Sequence, residues 1–172
     1  MFPEENNATN SNPPLKPIQS DQYIKNVIGL AYNLPQKRIY YSDIQQNTIN
    51  QVDFDGKNHR VLFEGVGSIE GMAYDGNHDT LYWTSSTKHA ISKIEIYKVQ
   101  NSTQKYTIYK MLPKYKEEIV LLLRPTDKPR GIDVDPCEKK IYFTNWNMEA
   151  PSIQRCSYNG YGVESIITTD IR

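Results

Sequence analysis

Three histidines, two cysteines and one strand-borne carboxylate are the residues whose types could do chemistry. His59, His78 and His89 fall in three separate turn-like stretches, none at metal-ligand spacing from a cysteine or a carboxylate cluster. That pattern reads as turn histidines rather than a zinc site. Each imidazole would titrate near ~6.5 and so could respond to endosomal acidity. Cys137 and Cys156 lie before the second and near the end of the third strand of one sequence unit. Antiparallel pairing would bring these regions together, so a disulfide in an oxidising compartment is one reading. A bond from either to a cysteine elsewhere in a longer chain is the other. No Gly-x-Ser-x-Gly elbow, phosphate loop or dinucleotide fingerprint occurs. Asn7 and Asn101 each begin a tripeptide that fits the N-glycosylation acceptor, which matters only if the chain is secreted.

The carboxylate, Asp43, belongs to a pattern that organises the chain. Tyr40-Tyr41-Ser42-Asp43 recurs as Tyr82-Trp83-Thr84-Ser85 and as Tyr142-Phe143-Thr144-Asn145, and a glycine precedes each first tyrosine by eleven residues, at Gly29, Gly71 and Gly131. A unit of ~40–45 residues with an aromatic strand signature is that of a propeller blade with four strands. The strands of the first unit are predicted at 27–32, 38–42, 48–52 and 60–63, with Asp55-Gly56 turning the last hairpin. Its neighbours follow the same plan. The blades are expected at about 27–66, 67–126 and 127–172, after a polar, Pro-containing leader over 1–26 expected to be loop or disorder. A Lys- and Tyr-rich insertion at about 98–118 reads as a tolerated surface hairpin or a binding loop. Ile119 to Leu123 is the longest clear apolar run and is expected to be a buried strand.

Twenty basic residues balance twenty acidic ones, so no net field draws the chain to nucleic acid or an anionic membrane. No apolar run approaches the ~20 residues of a membrane span. The amino terminus lacks the pattern of a secretory signal. Arg172 falls where a fourth blade would begin, which looks like a cut.

These residues resemble the low-density-lipoprotein-receptor class B repeat, whose Tyr-Trp-Thr-Asp signature marks the second strand of each blade of a six-bladed propeller. The match to Tyr40-Tyr41-Ser42-Asp43 is fullest; Ser85 and Asn145 depart from it. Arg130-Gly131-Ile132-Asp133-Val134-Asp135 also looks like the start of such a blade. Ile141 to Asn147 with Pro151 to Arg155 is similar to a propeller of the endocytic receptor-related members.

The resemblance implies an all-β fold, a partial six-bladed propeller of about three four-stranded antiparallel blades. It also implies a non-enzymatic ectodomain fragment of an endocytic receptor, without cofactor or metal, that binds protein ligands, positions neighbouring EGF-like modules and releases ligand at acidic pH. Such a chain would lie on the extracellular side of the plasma membrane or in the endosome, held to the membrane only by parts of the receptor absent here. The alternatives are a Wnt co-receptor-like or basement-membrane propeller gripping a ligand on its upper face, and a calcium-dependent propeller hydrolase. For the latter, the positions facing the axis are Ile28, Glu70 and Arg130, and the arginine would oppose a cation. Asp43 is expected to be a buried strut rather than a catalytic acid. Three blades leave two flanks uncovered, so the isolated chain is expected to aggregate or fold incompletely.

Overall fold

A computed structural model describes residues 23–96 and 118–168. It contains twelve strands in three four-stranded antiparallel sheets. The first sheet is β1 (Val27–Asn33), β2 (Arg38–Asp43), β3 (Thr48–Asp53) and β4 (Arg60–Glu64). The second is β5 (Ile69–Asp75), β6 (Thr80–Ser85), β7 (Ala90–Glu95) and β8 (Glu118–Leu122). The third is β9 (Pro129–Asp135), β10 (Lys140–Asn145), β11 (Ser152–Ser157) and β12 (Glu164–Thr168). Each sheet is a simple meander in sequence order. The first strands lie side by side, β5 between β1 and β9, so the three sheets fan out from one axis as propeller blades do.

Side-chain alternation explains the stacking. Tyr40 of β2 and Tyr82 of β6 point to the following blade, while Leu81 and Trp83 of β6 and Ile141 and Phe143 of β10 point back to the preceding one. The first seam buries Tyr40, Ile49, Leu62, Phe63, Met72, Leu81 and Trp83 together. The second buries Tyr82, Ile91, Ile141, Phe143 and Cys156, with Val120, Leu121, Ile132, Val134 and Tyr158 packed around them. The aromatic signature is therefore a two-sided wedge, with one ring for each seam.

Register slips at Gly29, Gly71 and Gly131 shape the inner strands. Each first strand is bulged against its second strand at this point, between Val27 and Leu30, between Ile69 and Gly71, and opposite Phe143 to Asn145. The signature hydroxyl serves the bulge: Ser42 Oγ accepts from the Gly29 amide at 2.7 Å, and Thr144 Oγ1 from the Gly131 amide at 2.9 Å. At Gly71 the neighbouring blade comes so close that a Cβ would stand 2.4 Å from the Arg130 carbonyl oxygen.

One expectation needs correction. The apolar run beginning at Ile119 is not a buried strand: β8 is the outermost strand of its blade, with Ile119 at 52% and Leu122 at 68% exposure. Val120, Leu121 and Leu123 reach the second seam, each only partly buried. Residues 23–26, which enter the first blade, form no strand, and the amides of Lys25 and Asn26 both donate to Asp43 Oδ2, at 2.7 and 3.2 Å. Residues 1–22, with Asn7, and 97–117, with Asn101 and most of the expected insertion, lie outside the described residues.

Candidate binding face at the propeller axis

The turns joining second to third strands and those entering each first strand share one face. There the signature's fourth position ties the blade entry to the strand, by a different chemistry in each blade. In the first, Asp43 Oδ1 accepts from the Gln45 and Gln46 amides at 3.0 Å while Oδ2 takes Lys25 and Asn26. Its burial works against ionisation, but these bonds outweigh that and hold the carboxyl below its usual range. Ser85 is too short to reach the entry in the second blade, and Thr87 Oγ1 accepts from the Ser68 amide instead, at 3.1 Å.

In the third blade Asn145 Oδ1 accepts from the Lys128 amide at 3.0 Å, and its Nδ2 donates to Asp127 Oδ1 at 2.8 Å. The missing carboxylate has moved to the entry segment. Asn147 Nδ2 donates to the same oxygen at 2.9 Å, and Arg124 Nε to Oδ2 at 3.2 Å. Burial alone would raise the Asp127 carboxyl; the bonds from Asn147, Asn145 and Arg124 overcome it and hold the pKa at about 2. His89 Nδ1 lies 2.8 Å from the Asp127 carbonyl oxygen, linking the second blade to this node.

Trp146 stands between these two anchored asparagines. Asn147 Oδ1 also accepts from the Glu149 and Ala150 amides, at 2.9 and 3.3 Å, which fixes the turn beyond it. This turn is the one in which Ile153 falls two residues later than its counterparts Ile49 and Ile91. The indole is 47% exposed, with Arg130 Cζ 4.5 Å and Lys128 Nζ 5.3 Å from the ring centroid. Met148, on the same turn, is 86% exposed.

At the axis Arg130 Nη1 lies 3.7 Å from Glu70 Oε2, and Glu70 Oε1 accepts from the hydroxyls of Ser86 at 2.7 Å and Ser68 at 3.3 Å. One carboxylate, shared with an arginine and two hydroxyls, does not fit a cation-holding donor set. Among the described residues no three His, Cys, Asp or Glu side chains group as metal ligands, and no helix is long and apolar enough to cross a membrane.

The histidines are not brought together. His59 stacks on Tyr23, centroids 4.3 Å apart, and burial lowers its pKa. His78 sits at the opposite end of the blades, its Nδ1 2.6 Å from Oδ2 of the wholly buried Asp75. In the structure the two cysteines are not bonded to each other. Cys137 is exposed in the turn before β10, whereas Cys156 pairs with Ile141 across the ladder and faces into the second seam. Sequence reasoning missed Asp127 and Trp146, because neither belongs to the repeated frame; the longer turn after Asn145 was the available signal.

The fold defines a β-propeller class of protein, here three four-stranded blades. No protein-family model matches the chain. Protein cueball of Drosophila grimshawi is 31% identical over 148 residues, which cover 83% of this chain and 22% of that protein. The chain thus spans about a fifth of the length of the curated relatives it matches. In the solved nidogen/laminin complex, a chain aligns with a TM-score of 0.65 and 24% identity, over 84% of this chain and 49% of that one. A gluconolactonase from Xanthomonas campestris aligns with a TM-score of 0.58 and 15% identity, over 86% of this chain and 48% of its own. This last likeness corrects the expectation of a non-enzymatic chain, since blades of this kind also build an enzyme and the fold gives no ground for excluding catalysis.

Proposed function

We propose that these blades form part of an extracellular protein-binding propeller whose ligand seats on the face carrying Trp146. The observation that carries this reading is a half-exposed indole held in place by the bonds of Asn145 and Asn147 to Asp127. Exposed aromatic residues on a pre-organised turn are the anchors that protein interfaces use. In the finer reading the blades belong to the ectodomain of an endocytic receptor related to lipoprotein receptors, facing the extracellular or endosomal space beside EGF-like modules. A second reading, a propeller that grips its partner directly as part of a matrix assembly, is favoured by the likeness to the nidogen/laminin complex.

Biolayer interferometry of the 172-residue chain against purified matrix and lipoprotein ligands, laminin included, tests the common element. Saturable binding to at least one of them, lost in Trp146→Ala while the fold is intact, supports it. Binding to none, or binding indifferent to that substitution, contradicts it.

A further inference from the structure

The cations around Trp146 specify what kind of partner this face takes. Lys128 Nζ and Arg130 Cζ both lie against the indole, yet the only carboxylate within ion-pair distance of either, among the described residues, is Glu70. At 3.7 Å that contact is an ion pair and not a hydrogen bond, and Glu70 is recessed, its side chain 19% exposed against 47% for Arg130. Glu149, further along the turn, forms no ion pair with either cation. A guanidinium held over an aromatic ring still carries N–H donors, and its fixed fork of donors matches a carboxylate. Contact with the ring limits the entropy lost when that fork is engaged. Met148 supplies exposed, adaptable apolar surface on the same turn.

We infer that the Lys128, Arg130 and Trp146 cluster recognises an acidic protein segment, one carboxylate taken by Arg130 and Lys128 and a neighbouring apolar side chain by Met148 and the indole edge. This rests on the binding face proposed above and names its partner's chemistry. A basic segment meets two cations at the same place, Arg130 only partly offset by the recessed Glu70, and is rejected.

The chain has two tryptophans, and Trp83 is wholly buried, so the iodide-quenchable emission belongs to Trp146. The probes are the capped peptide Gly-Leu-Glu-Glu-Leu-Gly and its lysine counterpart, titrated into the full chain at low and moderate salt. The glutamate peptide is expected to change the quenchable emission saturably, about tenfold more tightly than the lysine peptide, with affinity falling as salt rises. Arg130→Gln should weaken it about tenfold and Lys128→Gln about threefold, with the buried Trp83 emission unchanged. Equal or tighter binding of the lysine peptide overturns the inference, as does no binding of the glutamate peptide up to millimolar concentration, or wild-type affinity in both variants. If a panel protein binds through Trp146 and ignores Arg130→Gln and Lys128→Gln, the binding face stands and the acidic partner is overturned.

Discussion

Asn145 Nδ2 donates to Asp127 Oδ1 at 2.8 Å, both side chains buried, so that the carboxylate which the first blade carries inside its signature comes in the third blade from the segment that enters it. Asn145→Asp would remove the donor that Asp127 Oδ1 receives from residue 145 and set two buried carboxylates against each other. The expected cost is about 2–3 kcal/mol. Asp127→Asn with Asn145→Asp returns a single carboxylate to the node and should recover most of that loss. Urea unfolding of the two single variants and the double variant measures the coupling.

Acid should act on the same node. The folded Asp127 pKa of about 2 lies below its ordinary value of 3.8, so its contribution is complete above about pH 4 and is lost as pH falls towards 2. Asp43 is shifted in the same direction. Stability measured against pH should fall across that window, and less steeply in Asp127→Asn.

Three glycines differ in how closely the chain packs on them, two between blades and one within a blade. A Cβ at Gly160 would stand 1.9 Å from the Val120 carbonyl oxygen, where the last hairpin of the third blade meets β8, and φ is +79° there. At Gly71 the nearest atom, the Arg130 carbonyl oxygen, is 2.4 Å away; at Gly131 it is a threonine hydroxyl at 3.3 Å. Gly160→Ala and Gly71→Ala should each cost about 3 kcal/mol and Gly131→Ala about 1, read as shifts in the urea midpoint.

The thiols should differ sharply. Burial pushes Cys156 up to about 11, and the side chain is closed within the second seam, whereas Cys137 is exposed. A colorimetric thiol reagent at pH 8 should titrate one thiol in the native chain and two after unfolding. No native thiol would mean a disulfide, and two would mean an open seam.

Much of this architecture was legible because it repeats. The aromatic signature and the glycine eleven residues before it set the strands of all three blades, since a two-sided wedge and a bulged inner strand demand the same residue types each time. What did not repeat was hidden. Nothing local marks Asp127 as the partner of Asn145, or Thr87 as the hydroxyl that replaces Asp43, because the substitute stands outside the frame. The exposure of Ile119 and Leu122 escaped notice for another reason: apolar composition cannot tell an inner strand from an outer one. Trp146 differs again, since its meaning depends on Lys128 and Arg130, which reach it from the neighbouring strand and its entry.

Hydrogen exchange on the full chain, with the bound panel protein present and absent, tests most directly which surface is the binding face. Added protection is expected over residues 124–131 and 143–150, around Arg130 and Trp146. Protection confined to the opposite end, at the turn from Gly76 to Thr80 and at Glu95, which line a cavity of about 460 Å³, would contradict it.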